Sequence, residues 1–289
     1  MKVGVYGQDK TDALEHVVLL LQIFKQYNIE AVFEKKFYKS LQLSKTYPTF
    51  SSYEDLNESF DLMFTLGGDG TFLRAVTYIR DSNIPIVGIN LGRLGFLATI
   101  QKEQIEVSIK ALIDKDFSIK ERSLLSVRTS TKNTEIDAFN FALNEITVAR
   151  KNTTSMITIE TYLDNEYLTS YWADGLIIAT PTGSTGYSLS CGGPVINPQA
   201  KSFVLTPIAP HNLNARPLVI PDDIDIKLKV TGREKQALIS LDSRIATIDH
   251  ETEVHIKRAP FTIKTIQLQE QTFLKTLREK LLWGEDKRN

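Results

Sequence analysis

The chain has little cysteine and no long apolar run. Its single cysteine, Cys191, excludes an intrachain disulfide, a cage of zinc-bound thiolates and a CxxC redox pair. The four histidines are scattered without the spacing typical of metal ligands. No apolar stretch approaches the roughly 20 residues of a membrane-spanning helix. The apolar part of residues 1–7 is too short for a secretory signal, so we expect a cytoplasmic protein with no membrane partner.

A strong net charge is also absent. The 34 Lys and Arg residues are balanced by 35 Asp and Glu residues, which gives a formal net charge of −1. No electrostatic field therefore favours nucleic acid or an anionic membrane surface. A hydrophobic share of 42% and a charged share of 24% are typical of a globular protein. The 289 residues suffice for one large or two ordinary domains.

One stretch, residues 60–76, combines a strand, a glycine loop and the start of a helix. Residues 60–66 form the short, mostly apolar run of a buried strand. Gly67 and Gly68 interrupt it, and helical spacing resumes at Thr71. The first N–H groups of a helix lack intrahelical partners and the helix dipole favours negative charge there. The stretch therefore predicts an anion site.

This loop carries an aspartate and no lysine, unlike a P-loop. A carboxylate beside a bound phosphate is unfavourable unless it holds a metal or accepts a proton from an attacking hydroxyl. Asp69 has Gly68 and Gly70 as neighbours, however, and Asp-Gly is also common turn and capping chemistry. The loop alone leaves both interpretations open.

Strands and helices alternate in the first part of the chain. Such alternation predicts a parallel sheet covered on both faces. Gly4 and Gly7 do not complete the GxGxxG pattern, so a standard dinucleotide site is not predicted there. We interpret the polar residues 44–52 as a mobile surface loop. The predicted strands are residues 2–6, 29–34, 60–66 and 84–90, and the predicted helices start at Thr11-Asp12, after Gly70 and at Glu103.

From residue 117 the pattern changes to many short β-rich runs separated by turn residues. Their spacing predicts an antiparallel sandwich or a barrel-like domain. Residues 271–283 have an apolar helical face, which we expect to pack on the first domain. The predicted domains are 1–118 with 268–289, and 119–267. The β-rich runs are residues 123–129, 139–148, 156–163, 167–172, 175–179, 203–209, 218–220, 224–230, 237–241, 244–248, 253–257 and 261–266.

A second informative stretch covers residues 173–194. An apolar strand at 175–179 continues into residues 180–187, which are rich in Ser, Thr, Gly and Pro. Hydroxyl and backbone N–H groups in such a loop can bind a phosphate or a ribose diol. A turn needs fewer such residues, so the composition favours ligand contact.

Other residues have both a ligand-contact interpretation and a purely structural one. Asn144 and Glu145 interrupt an apolar run, where an amide and a carboxylate could contact an adenine edge and sugar hydroxyls, or lie in water at a strand end. Asp174 precedes a glycine and suits a turn equally well. The glycine-containing residues 91–97 would lie at the carboxyl end of a strand, as a ligand loop or as a connector. Arg216 could hold phosphate or simply lie at the surface.

Taken together, these motifs resemble those of the NAD kinase family, whose members phosphorylate the 2′-hydroxyl of the adenosine ribose of NAD to give NADP. The glycine–aspartate loop alone is not specific, because diacylglycerol and sphingosine kinases and phosphofructokinases have similar loops. The tract 174–194 is specific. The similar segments are residues 66–71, 90–97, 143–145, 174–194 and 210–220.

The resemblance implies an α/β N-terminal domain with a Rossmann-like parallel sheet, an all-β C-terminal domain, and a C-terminal helix that packs back on the first domain. It implies a kinase that transfers the terminal phosphoryl group of ATP or polyphosphate to NAD. Mg²⁺ or another divalent cation would accompany ATP, with no protein residues as metal ligands and no bound organic cofactor. It also implies a homo-oligomer, either a dimer or a tetramer, with NAD and ATP as substrates and no nucleic-acid partner.

The resemblance further implies roles for individual residues. Asp69 would be the general base beside the 2′-hydroxyl, and Gly70 would admit the substrate. Phe96 and Leu97 would wall the adenosine pocket, although some family members have tyrosine in place of Leu97. The other residues implied to contact NAD are Asn144 and Glu145 at the ribose and diphosphate, Thr182, Thr185, Gly186 and Tyr187 at the adenine, and Asp174, Ser190 and Ala209 at the nicotinamide half, some of them from a neighbouring subunit. Gly67, Gly68 and Thr71 would form the phosphate loop, and Arg74, Arg93 and Arg216 are weaker candidates.

Two rival functions fit parts of the sequence. A lipid kinase shares the glycine–aspartate loop but needs an apolar acyl cleft and a membrane-facing patch, and no basic amphipathic helix is predicted. A non-catalytic NADP sensor would gain nothing from a carboxylate beside phosphate. The phosphoryl donor, the choice between NAD and NADH, and regulation by the product stay open at this point.

Overall fold

The computed structural model describes residues 1–8, 13–152 and 155–282. It divides into two compact units, Met1–Glu121 with Ile263–Asn289, and Arg122–Thr262. Thr11 and Asp12, where the first helix was expected to start, and Trp283, where the last was expected to end, lie outside the described residues.

The first unit is an α/β structure, as the sequence predicts. Its strands are β1 (Lys2–Gly7), β2 (Glu30–Glu34), β3 (Thr49–Phe50), β4 (Leu62–Leu66), β5 (Ile86–Asn90) and β6 (Ile100–Gln101). Its helices include α1 (Ala13–Gln26), α2 (Lys35–Leu41), α3 (Asp69–Ile79) and α4 (Ile105–Ile113). The strands pair in the order β3-β2-β1-β4-β5, all in parallel.

The residue pattern explains this sheet. Every residue of β4 and β5 is buried, because helices cover both faces of a parallel sheet. Helix α1 buries Val17, Leu20 and Phe24, which share one helical face and belong to the same apolar core as the strands. The loops that follow β4 and β5 leave the sheet at the same edge, since the two strands are parallel neighbours. Ligands bind at this edge in open α/β sheets.

The interpretation of residues 44–52 as a mobile surface loop is wrong in part. Thr49 and Phe50 form β3, parallel to β2, and the Phe50 side chain is fully buried against the Tyr78 ring. A strand of two residues is too short to show an alternating pattern in the sequence. Its neighbours are polar, so the one buried apolar residue, Phe50, does not stand out.

The second unit contains the β-rich part of the chain. Strands β7 (Phe117–Thr129) and β18 (Glu253–Leu268) each run across a division between the units. The other strands are β8 (Phe141–Ala142), β9 (Glu145–Arg150), β10 (Ile157–Leu163), β11 (Glu166–Ala173), β12 (Gly175–Ala179), β13 (Ser202–Ile208), β14 (Leu218–Pro221), β15 (Ile226–Gly232), β16 (Gln236–Leu241) and β17 (Arg244–Asp249). Short helices α5 (Thr134–Ala138) and α6 (Tyr187–Ser190) lie between them.

These strands form two antiparallel arrays within the unit. One has the order β11-β10-β15-β18, and the other is a six-stranded sheet, β14-β13-β12-β9-β16-β17. Residues alternate between buried and partly exposed along β10, β15 and β16, which is the pattern of a sheet with one face on the core. Residues of both arrays share one apolar core, so the unit is a β sandwich.

The structure corrects three details of the strand predictions. Residues 253–257 and 261–266 belong to one strand, β18, although Pro260 interrupts the sequence pattern. The predicted strand 139–148 is divided into β8 and β9 by Leu143 and Asn144. Helix α5 was not predicted, because five residues are too few to show a helical period.

The C-terminal helix α7 (Phe273–Leu281) belongs to the first unit, as predicted. The Phe273 ring lies 6.3 Å from the Phe96 ring, and the Thr99 hydroxyl donates to the Gln271 side chain at 2.8 Å. Among the described residues, no helix has both the length and the apolar character needed to cross a membrane.

Candidate active site

The glycine loop between β4 and α3 leads directly into the first turn of the helix. Gly67 has φ +146°, and a Cβ atom there would lie 2.3 Å from the Thr71 hydroxyl oxygen, so the position requires glycine. The Gly68 carbonyl accepts the first helical hydrogen bonds, from the amides of Thr71 and Phe72. The amides of Asp69 and Gly70 therefore begin the helix, where the dipole favours an anion. A Cβ at Gly68 or Gly70 would meet no atom within 4 Å, so the outer side of the loop is open.

The Asp69 carboxylate is bound by three consecutive amides of the second glycine-containing loop. Oδ2 accepts from Phe96 N at 2.8 Å, and Oδ1 accepts from Leu97 N and Ala98 N, each at 3.0 Å. A Cβ at Gly95 would lie 1.9 Å from Oδ1, so only glycine admits the carboxylate here. The structure thus brings Asp69, Phe96 and Leu97 together, as expected of one site. The contacts use the backbone of Phe96 and Leu97.

Two further groups fix this second loop. The buried Asn90 side chain accepts from Gly92 N at 2.7 Å and donates to the Arg93 carbonyl. The Phe96 ring packs on Phe273, and the Lys280 ammonium lies 5.0 Å from its centroid. The Phe96 ring is therefore in contact with α7. The loop has a defined shape that is set by contacts within the first unit.

In the second unit, two separate tracts of the sequence meet. The Thr180 hydroxyl donates to the Leu143 carbonyl at 2.6 Å, and Thr180 N donates to the Asn144 carbonyl at 2.9 Å. A Cβ at Gly183 would lie 2.1 Å from that same Asn144 oxygen. The hydroxyl-rich loop therefore packs its backbone against the Asn144-Glu145 pair, which sequence spacing alone did not predict.

Asn144 and Glu145 do not lie in water. Among the described residues, Asn144 Oδ1 and Glu145 Oε2 are buried side-chain atoms without a hydrogen-bond partner. The Tyr187 amide donates to the Glu145 carboxyl group. Burial, together with the nearby Asp242 carboxylate, raises the pKa of Glu145 to about 8. Because unpaired buried polar atoms are costly, these two atoms favour a ligand that donates hydrogen bonds to them.

One residue near this pair was missed by the sequence analysis. The Asp242 carboxylate accepts from three consecutive amides, those of Leu143 (3.0 Å), Asn144 (2.8 Å) and Glu145 (3.2 Å). Its side chain is only 4% exposed. In the sequence, Asp242 lies between two alternating strands and predicts only a hairpin turn, so no signal pointed to a site.

The other predicted NAD contacts are distributed through the same unit. Asp174 forms an ion pair with Arg150 at 3.0 Å, so its charge is compensated within the protein. Thr182 is buried, and its carbonyl accepts from the Thr185 hydroxyl at 3.3 Å. A Cβ at Gly186 would lie 3.1 Å from Glu145 Oε2, and 46% of the Tyr187 surface is exposed. Ser190 and Ala209 are also exposed, and Ala209 has φ +43°.

The three weaker arginine candidates are all exposed. Arg216 donates to the carbonyls of Leu213 and Ala215, each at 2.8 Å, and so supports its own turn. Arg74 lies on α3, and Arg93 contributes a carbonyl to the second loop. Thr71 of the phosphate loop is buried beside Gly67.

The donor set does not fit a metal held by the protein alone. In the part of the chain that the structure describes, no three His, Cys, Asp or Glu side chains are grouped to bind an ion. Mg²⁺ commonly binds one or two carboxylates together with substrate phosphates and water.

Comparisons with known proteins identify the family of the chain. The family model of the ATP-NAD kinase N-terminal domain matches residues 6–117, and that of the ATP-NAD kinase C-terminal domain matches residues 143–268. The chain is 59% identical to the NAD kinase of Christiangramia forsetii and 38% identical to that of Bacteroides fragilis strain ATCC 25285, with 100% of both chains covered in each case.

Two solved structures are similar over nearly the whole chain. An NAD kinase from Archaeoglobus fulgidus in complex with ATP is 27% identical, has a TM-score of 0.77 and is matched over 97% of each chain. Yeast NADH kinase complexed with NADH has a TM-score of 0.88 at 24% identity, over 99% of this chain and 89% of that one. This second similarity concerns the fold. On the two family matches and the full-length relatives, the chain belongs to the NAD kinase family.

Proposed function

We propose that the chain transfers the terminal phosphoryl group of ATP to the 2′-hydroxyl of the adenosine ribose of NAD, which yields NADP and ADP. Family membership and the full-length relatives named NAD kinase support this activity. The similar Archaeoglobus fulgidus NAD kinase, solved in complex with ATP, supports ATP as the donor. The observation that carries the proposal is the Asp69 carboxylate, held in a fixed orientation at the start of α3 beside an open glycine loop.

The hydrogen bonds of Asp69 indicate which oxygen acts. A carboxylate offers about four lone-pair directions, and the amides of residues 96–98 occupy two on Oδ1 and one on Oδ2. Oδ2 therefore keeps one direction for the 2′-hydroxyl. In this proposal the 2′-oxygen attacks the γ-phosphorus, the bond to the β,γ-bridging oxygen breaks, and Asp69 takes the hydroxyl proton.

The remaining contribution of the protein is positioning and charge. Phosphoryl transfer requires in-line geometry and neutralised phosphate oxygens more than covalent help from side chains. Gly67 and Gly68 bring the backbone of the loop close to the donor, and the N-terminus of α3 provides partial positive charge. The divalent ion of the ATP substrate would supply further neutralising charge at the phosphates.

The nucleoside side of NAD would be held by the second unit. Glu145 Oε2 and Asn144 Oδ1 are buried acceptors without a partner among the described residues, and ribose hydroxyls are the matching donors. The hydroxyl-rich residues 182–187 pack against the same pair through Gly183 and Gly186. The exposed ring of Tyr187 offers a face for the adenine.

Oligomeric state and location are part of the proposal. The second unit exposes several large apolar side chains, including Leu213 at 88%, Val219 at 47% and Trp172 at 46%. Exposed apolar surface of this kind supports a homo-oligomer, which light scattering coupled to gel filtration would measure. We propose the cytoplasm as its location because the one cysteine, Cys191, is free and no disulfide is possible.

A product assay tests the activity. Purified protein is incubated with NAD and Mg²⁺ and with ATP, another nucleoside triphosphate or polyphosphate, and the product is identified by phosphorus NMR. We expect a 2′-phosphate on the adenosine ribose, with ATP as a productive donor. Parallel reactions replace NAD with NADH or with diacylglycerol.

Two results would contradict the proposal. Phosphorylation of the lipid without formation of NADP would assign the chain to the lipid kinases. Calorimetric binding of NAD or NADP without turnover with any donor would indicate a nucleotide sensor.

A further inference from the structure

We infer that Asp242 is a positioning residue for the NAD side of the reaction, because its carboxylate fixes the backbone of residues 143–145 and thereby aims the side chains of Asn144 and Glu145. This inference rests on the proposed function, in which those two side chains contact NAD. Asp242 itself lies behind the backbone amides and touches no substrate in this proposal.

Both oxygens of the Asp242 carboxylate accept hydrogen bonds from backbone amides. Oδ2 accepts from Leu143 N, and Oδ1 accepts from Asn144 N and Glu145 N. The ionised form suits this arrangement best, because both of its oxygens are acceptors only. Burial raises the pKa of Asp242, and the three amides and the Arg244 guanidinium act against that rise. The side chain is 4% exposed, so water does not compete for these bonds.

Arg244 binds the backbone of the residues that precede this segment. Its guanidinium lies 3.8 Å from the Asp242 carboxylate and donates to the carbonyls of Phe139, at 2.8 Å, and Phe141. The hairpin turn between β16 and β17 therefore fixes residues 139–145 at several points. In this way the β16–β17 hairpin, and not the local sequence, sets the direction of the Asn144 and Glu145 side chains.

Asp242 also influences the charge of Glu145. Two carboxylates lie close together in a buried region, and the negative charge of Asp242 disfavours ionisation of Glu145. The other titratable group facing Glu145 is Tyr187, on α6, while Arg244 faces Asp242. An ionised Glu145 is the better acceptor for a ribose hydroxyl. NAD affinity should therefore rise with pH as Glu145 loses its proton.

The test variant is Asp242→Asn, which removes the charge and places an amide group against the N–H donors. The matched control is Asp249→Asn, the same change at the exposed far end of the same strand pair, where Asp249 accepts from the Gln236 side chain. A second variant, Asp242→Ser, keeps a small uncharged acceptor. Urea unfolding of all three establishes that the proteins are folded.

We expect the Kd and KM for NAD to rise about tenfold in both Asp242 variants, since each leaves buried amides unpaired, while the KM for ATP changes less than about twofold. The midpoint of the pH dependence of the Kd for NAD should move to lower pH. Hydrogen exchange at residues 143–145 should become faster. The Asp249 control should match the wild type in every readout.

An unchanged Kd for NAD in the Asp242 variants would overturn the inference. Equal losses for NAD and ATP with an unchanged pH midpoint would also overturn it, because they would show a merely structural role. Calorimetry and hydrogen exchange require no turnover. Absence of NADP formation by the wild type would therefore contradict the proposed function without obscuring this result.

Discussion

Two aspartates, one in each unit, are bound by the same backbone arrangement. Asp69 accepts from the amides of three consecutive residues, 96–98, and Asp242 accepts from those of 143–145. Asp69 is only half-buried beside an open glycine loop, whereas the Asp242 side chain is 4% exposed and has Arg244 beside it. The hydrogen bonding is the same in both cases, and access to a substrate is what would separate Asp69, the proposed general base, from Asp242, the proposed positioning residue.

The largest effect should come from Asp69. At saturating NAD, ATP and Mg²⁺, we expect Asp69→Asn to lower kcat by about 10²–10⁴, the usual cost of losing a general base. The rate of NADP formation measures it. Asp55→Asn is a matched control in the same unit, because the Asp55 carboxylate also accepts from neighbouring amides, those of Ser51 and Ser52.

A separate variant displaces the Asp69 carboxylate without removing it. Gly95→Ala keeps the Asp69 carboxylate but puts a methyl group where its Oδ1 lies. We expect a lower kcat with this variant as well, since the carboxylate must move away from its position. Wild-type turnover in Asp69→Asn would show that Asp69 only shapes the loop, in which case it would resemble Asp242.

The second prediction concerns the stability of the second unit. A Cβ at Gly183 would lie 2.1 Å from the Asn144 carbonyl oxygen, which is backbone and cannot rotate away. We therefore expect Gly183→Ala to reduce the free energy of unfolding by roughly 2–3 kcal/mol. Urea denaturation measures the change. A loss below about 0.5 kcal/mol, the usual range of a neutral surface change, would mean that the two tracts do not require this close approach.

The comparison also shows what the sequence reveals and what it hides. The alternation of strands and helices predicted the parallel sheet, and the glycines on both sides of Asp69 marked its carboxylate as a candidate. Asp242 shows no such signal, since its three partners are about a hundred residues away in the sequence and an aspartate in a hairpin turn is ordinary. Local patterns identify residues that act at loops, and only the fold identifies those that act through another segment.

The same limit applies to two smaller points. The ion pair between Asp174 and Arg150 joins two residues that the sequence did not connect, and the contact of Asp174 with the nicotinamide half of NAD stays a prediction. Phe50 was placed in a surface loop, and the structure buries it in β3. Each depends on a partner that is distant in sequence, so neither could be derived from spacing.

A third prediction concerns the protonation of Glu145, whose pKa is raised mainly by burial and further by the nearby Asp242 carboxylate. The pKa of Glu145 in the folded protein is about 8, above its ordinary value of 4.5, so the folded state keeps a proton that the unfolded state releases between these values. Stability therefore falls as pH rises through this window. Gln does not titrate, and we expect the stability of Glu145→Gln relative to that of the wild type to increase by roughly 3–4 kcal/mol between pH 5 and pH 8. The unfolding free energies of both proteins, measured at these pH values, give this difference.

If the difference in unfolding free energy between Glu145→Gln and the wild type stays constant with pH, the raised pKa of Glu145 is contradicted. The control is Glu160→Gln in the same unit, a partly exposed carboxyl group on β10 that accepts from the Tyr162 hydroxyl. The same measurements on Glu160→Gln show how much of the change comes from replacing a carboxyl group by an amide.

The smallest expected effect, at Gly70, tests whether the Asp69 region is open to a substrate. Gly70 is exposed in the first turn of α3, and a Cβ there would meet no atom within 4 Å. Gly70→Ala should therefore raise the free energy of unfolding by about 0.5 kcal/mol, because alanine restricts the unfolded chain and favours the helix. If NAD approaches Asp69 over this position, kcat/KM for NAD should fall although the protein becomes more stable. A stabilised variant with unchanged kcat/KM would show that the substrate reaches Asp69 from another side. The part of the loop that is open to a substrate, which distinguishes Asp69 from Asp242, would then not be Gly70.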